Sequence, residues 1–103
     1  MTRKTLTDGS NKWFNIESSE KFDEGTFHNG QNWISKATNS QWNHETLYRT
    51  KGKQWVLVKN SNIQGTQEEV VLISNDEAAE WFSKNELEPH EDCEKEFLDL
   101  EIE

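Results

Sequence analysis

The chain has a single cysteine, a single proline and few aliphatic residues, and each scarcity excludes something. One cysteine rules out an internal disulfide, and no N-x-S/T acceptor for N-glycosylation is present. No segment approaches the roughly 18 apolar residues of a membrane span, and the opening "MTRKTLTDGS" lacks the apolar stretch of a secretory signal. The expectation is a cytoplasmic protein with no membrane association. Hydrophobic residues make up 31% of the sequence. Even with the five glycines added, this falls below the roughly 45–50% of an average globular domain.

Low hydrophobicity with a net charge of −9 favours disorder. Five tryptophans and five phenylalanines oppose it, because each packed ring buries about 150–250 Å². At 103 residues the expectation is one folded domain over 1–88, followed by an acidic amphipathic segment over 89–103. With so few aliphatics, Trp13, Phe14, Phe22, Phe27, Trp33, Trp42, Trp55, Trp81 and Phe82 are expected mostly to form the core. Trp42, among the polar residues of "SQWNHE", is the ring expected at the surface and at a partner interface.

Local patterns predict an α+β fold, with an antiparallel sheet of four or five strands centred on a 44–60 hairpin. "HETLYRT" and "QWVLVKN" are β-rich arms separated by "KGK", with Gly52 at the turn. Trp55, Leu57 and Lys59 share one face of the second arm, and Val56 and Val58 the other, so that arm reads as a central strand. "KTLT" (4–7), "KWFNI" and "EEVVLIS" are further strands, and Gly65 is the pivot of the loop "NSNIQGT". "ESSEKFDE" reads as a helical turn or two with Phe22 inward, and Asn29-Gly30 suits a tight type I′ hairpin turn. "WISKATNSQW" fits either strand or loop.

A helix is expected over about 75–86. Ser74 stands at its N-cap and Glu77 completes a capping box, Ala78, Trp81, Phe82 and Asn85 face inward, and Pro89 ends the segment. The tail reads as helix over 90–98 with a short extended end, apolar on one face and acidic on the other.

Residue patterns for catalysis, metals and cofactors are weak. His90 and Cys93 form H-x-x-C, but a structural zinc needs four ligands and no second pair has zinc spacing. His44 and Glu45 are adjacent on a strand and point to opposite faces, so they do not form a base and its orienter. Cys93 lies among carboxylates, which disfavour a thiolate. The glycines stand alone, without a phosphate-binding loop. No catalytic, metal or cofactor residue is assigned. Arg49, Lys51, Lys53 and Lys59 near Tyr48 and Trp55 resemble a single-strand grip, but the pI of about 4.8 argues against direct nucleic-acid binding.

Charge is unevenly placed. Residues 1–66 carry nine Lys or Arg against six Asp or Glu, a net of +3. Residues 67–103 carry two Lys against fourteen acids, a net of −12. A field this one-sided steers encounter with a basic partner. The expected function is therefore a non-enzymatic binder. Glu91, Asp92, Glu94, Glu96, Asp99, Glu101 and Glu103, with Trp42, would cover the basic, nucleic-acid-handling surface of another protein. The competing expectation is a regulatory or housekeeping module that binds through its tryptophan-bearing sheet, the tail serving only solubility. The terminal amphipathic segment is also an expected homodimer contact.

The stretch "HNGQNWISKATNSQWNHETLYRTKGKQWVL", followed by "DEAAEWFSKNE", resembles a group of small bacterial proteins without an established function. Their pattern is W-N-G-x-N-x-I-S-x-A-T-x-S-Q-W-x-H-E-x-L-Y-R-T, then a tryptophan-bearing strand and an E-E-A-A-x-W-L helix. The similarity spans about residues 10–88, with His28 where the group has tryptophan and a loop, "NSNIQGT", poorer in aromatics. The resemblance implies a small α+β protein and an association with plasmids, phages and other mobile elements, where an anti-CRISPR, antirestriction or antitoxin role would fit. It implies no activity.

Overall fold

The computed structural model describes residues 2–102. Its centre is a four-stranded antiparallel sheet ordered β3 (Glu20–Asp23), β6 (Asn43–Arg49), β7 (Trp55–Ser61) and β8 (Glu69–Ile73). Two-stranded antiparallel ribbons flank it: β1 (Arg3–Thr5) with β2 (Trp13–Asn15), and β4 (Thr26–His28) with β5 (Trp33–Ser35). After the sheet come helix α1 (Asn75–Lys84), a 3-10 turn (Glu91–Cys93) and the short helix α2 (Glu94–Leu98). The fold is α+β, as the residue patterns predict.

β7 is a central strand for the reason its sequence carries. Strand residues alternate between faces, and both faces of β7 are apolar. Trp55 and Leu57, with Leu47 of β6, pack beneath Ala78, Ala79, Trp81 and Phe82 of α1. Val56 and Val58, with Tyr48 and Val70, pack on the opposite side against Leu6 and Phe14 of the β1–β2 ribbon. The molecule is thus three layers: ribbon, sheet, helices. Burying the two faces of one strand against different layers removes far more apolar surface from water than a two-layer arrangement would allow for so few aliphatics.

The helix begins as its sequence requires. The Ser74 hydroxyl accepts from the Glu77 N–H at 3.2 Å, and the Glu77 carboxylate accepts from the Ser74 N–H at 3.4 Å. It ends earlier than predicted. Asn85 caps it and Glu86 turns left-handed at φ 56°, so the stop lies before Pro89. Asn85 is buried, and its side chain donates to the Trp81 carbonyl and accepts from the Gly25 N–H at 2.9 Å.

Three local expectations are corrected. "ESSEKFDE" is not helical, because residues 20–23 pair with β6 as edge strand β3, with Phe22 against Phe82 and Trp55. Pairing available from a long neighbouring strand outweighs a weak helical preference. The β4–β5 hairpin closes over residues 29–32, since His28 pairs with Trp33. Only Gly30 in that loop has positive φ, and the Asn29 carboxamide instead accepts from the N–H groups of Gln31 and Asn32. Among the described residues the tail is not a strand after Leu98: Leu100 N–H bonds the Phe97 carbonyl and Glu101 N–H the Leu98 carbonyl, so the coil continues as turns over 99–101.

Candidate functional site

The acidic segment is seated on the sheet through three groups. Cys93 is fully buried in the core beneath α1, and Phe97 packs against the same cluster. Burial pushes the Cys93 thiol above its usual value, with the Glu96 and Asp92 carboxylates adding to the rise against the opposing His90 carbonyl contact and Arg49. His90 stands edge-on to Phe22 and Trp55 at 5.8 and 5.5 Å between ring centres. Its Nδ1 accepts from the Asp92 N–H at 3.0 Å, which places the proton on Nε2, 3.2 Å from Glu20 Oε1. The H-x-x-C pair is thus a cap and a core thiol. Among the described residues no group of three or more His, Cys, Asp or Glu is placed to hold a metal ion.

Asp92 differs from the other acids. Arg49 sends Nε and a terminal nitrogen to its Oδ2 at 3.0 and 2.9 Å, stacks on the Trp55 ring at 4.5 Å and donates to the Lys53 carbonyl. One carboxylate therefore clamps the acidic segment to the central hairpin, and its charge is matched inside the molecule. Glu91, Glu94, Asp99 and Glu101 are exposed and Glu96 is half-buried, none of them in an ion pair among the described residues. Glu103 lies outside the described residues. Asp76, Glu77 and Glu80 of α1 extend the acidic surface along the same layer.

Trp42 is half exposed at 50%, as expected of it. Trp33 at 64%, Trp13 at 49% and Phe27 are also exposed, which corrects their assignment to the core. The reason is geometric. Trp33 and Phe27 lie on the β4–β5 ribbon, over which none of the described residues forms a layer, and Trp13 alternates with buried Phe14 on β2. Arg3 lies over the Trp13 ring at 5.4 Å.

A polar site that residue spacing did not reveal lies at the other end of the sheet. Glu24, just past β3, receives the Ser35 hydroxyl and the Glu45 N–H on Oε1, both at 2.7 Å, and His44 Nδ1 on Oε2 at 2.7 Å. Asn62 Nδ2 lies 3.3 Å from His44 Nε2. His44 thus has a carboxylate orienter, supplied by Glu24 from the β3–β4 connection and not by its neighbour Glu45. Glu45 points to the helical side, where its carboxylate accepts from Trp81 Nε1 at 3.0 Å. His44 borders an open polar hollow of about 350 Å³ that is also lined by Thr38, Asn43, Lys59 and Asn60. The only sequence signal was the "SQWNHE" block itself, which names His44 but not the distant Glu24.

No family model, no curated protein and no solved structure matches this chain.

Proposed function

We propose that this protein binds another protein through its acidic helical layer and covers a basic, nucleic-acid-handling surface there, as an inhibitor of the anti-CRISPR, antirestriction or antitoxin kind. The observation that carries the reading is the seating of the acidic segment. Exposed Glu91, Glu94, Asp99 and Glu101 project from a backbone held by buried Cys93, packed Phe97 and the Arg49–Asp92 clamp. Carboxylates on a rigid support lose little side-chain and backbone freedom on docking, so their charge is available for recognition. Spaced along a short helix and the turns on either side of it, they stand in for phosphates, and phosphate contacts supply much of the affinity of nucleic-acid-binding proteins.

The test replaces Glu91, Glu94 and Glu101 with Gln and Asp99 with Asn together. Proteins captured from a bacterial lysate by the parent and the variant are compared, with elution by salt and by short duplex DNA. A partner held by the parent alone and displaced by DNA supports the reading. Equal capture by both forms sinks it.

A second reading has its own observation in the exposure of Trp33 and Trp42: a binding module that uses the tryptophan-bearing surface, with the acids serving solubility. Ligand-induced change in tryptophan fluorescence, equal in parent and amide variant, would select it.

A further inference from the structure

The ribbon layer covers only part of the sheet. Beside it runs an apolar groove of about 290 Å³, floored by Leu6, Phe14 and Val56 and walled by half-exposed Trp13 and Leu72. Its surroundings are basic. Lys12 lines it, Arg3 lies over Trp13, and the adjoining 50–54 turn carries exposed Lys51 and Lys53. One wall is the free edge of β8. There the outward N–H and C=O of Val70 are met by Thr7, whose hydroxyl accepts at 2.9 Å and whose N–H donates at 2.8 Å. Leu72, two residues on, directs its own N–H and C=O to the same open side, because strand groups repeat with period two. An apolar trough with a basic rim and an open strand edge fits an extended segment whose apolar residues alternate with acids.

The chain itself carries such a pattern, in a stretch that forms the end of α2 and the turns after it in the free molecule and would extend on docking. In "LDLEIE", Leu98, Leu100 and Ile102 alternate with Asp99, Glu101 and Glu103, and Leu98, Leu100 and Ile102 (95%) are exposed. Within one molecule α2 lies on the helical side of the sheet and the groove on the ribbon side, so a copy's own segment faces away from its groove.

We propose that this groove binds the C-terminal segment of a second copy of the chain, head to tail. The contact joins two different surfaces, so it does not close on itself as a symmetric dimer does, and it builds short chains of molecules whose length grows with concentration. A segment of about six residues offers a small contact, so association is weak and reversible. Its ionic part weakens with salt.

The experiment is sedimentation velocity over a wide concentration range at low and high salt, on the parent and two variants. Leu72→Asp places a like charge in the groove wall, and the pair Leu100→Ser with Ile102→Ser removes the tail's apolar contacts at exposed positions. The parent is expected to exceed the monomer mass at low salt and to revert at high salt. Each variant alone is expected to need at least about tenfold higher concentration, a difference of roughly 1.4 kcal/mol. Mixed, the two variants are expected to form a one-to-one complex and nothing larger, since one retains the tail and the other the groove. A parent that stays monomeric at low salt overturns the proposal. So does a tail variant that associates like the parent, a result that does not depend on Leu72→Asp folding. Failure of self-association with intact carboxylate-dependent partner capture would leave the proposed function standing.

Discussion

A methyl group at Gly25 would sit 2.4 Å from the backbone oxygen of Asn85, closer than real Cβ contacts come. The conflict is with backbone, which cannot swing away. Gly25→Ala is expected to destabilise by about 1–3 kcal/mol in urea unfolding, as a steric clash with fixed backbone does. Gly52→Ala, whose nearest neighbour would be the Thr50 hydroxyl at 3.9 Å, is expected to be near neutral. The same corner depends on Asn85, and Asn85→Ala, which strands the Gly25 N–H, is expected to cost about 1–3 kcal/mol. Cys93 gives a pH prediction. Its folded thiol titrates above the unfolded one because of burial. The contribution is fully present below the unfolded value and is lost as pH rises through the folded value, since the unfolded chain then releases the proton first. Stability of the parent should therefore decline more steeply in the alkaline range than that of Cys93→Ala. Unfolding curves of both at several alkaline pH values check this, and parallel declines would refute it.

At the scale of elements, caps and buried ties decide more than propensity. α1 is only ten residues long and takes its start from the Ser74–Glu77 box. Ser74→Ala is expected to cost about 1 kcal/mol, read from the thermal midpoint. Trp81 ties the helix to β6 through Glu45, whose carboxylate is buried. Trp81→Phe removes that donor and leaves Glu45 with Lys84 at 3.6 Å. The expected loss is about 1–3 kcal/mol, and Glu45→Leu in the same background should cost less than it does alone, a coupling visible in a double-mutant cycle. Strand β3 shows the complementary case. It ends at Asp23, and the next N–H along β6, that of Glu45, is met by the Glu24 side chain where another strand residue would have been.

At the scale of the whole molecule, the acidic third is also part of the core. Ending the chain at Glu88 would remove His90, Cys93 and Phe97 and uncover Trp55 and Phe22. Such a truncation is expected to lower the unfolding free energy by several kcal/mol, comparable with deleting two or three buried side chains. For that reason amide substitution, and not deletion, separates the tail's charge from its packing. Circular dichroism of the truncated chain against the amide variant checks the distinction, and an unchanged melting curve for the truncation would contradict this packing role.

Periodicity and caps made much of this molecule legible. The two-faced β7 strand, the hairpin it forms with β6, the capping box and the inward stripe of Ala78, Trp81, Phe82 and Asn85 all follow from spacing, because alternation and helical repeat are local rules. The concentration of acids after residue 66 was equally plain. Four things were settled only by tertiary structure. β3 is a strand because β6 offered it a partner. Trp13, Phe27 and Trp33 are exposed because none of the described residues packs a further layer over the outer faces of their ribbons. Asp92 is matched because Arg49 lies across from it, and His44 has an orienter because Glu24 arrives from twenty residues away. Each depends on which distant segments come to face one another, and side-chain spacing along one segment holds no information about that.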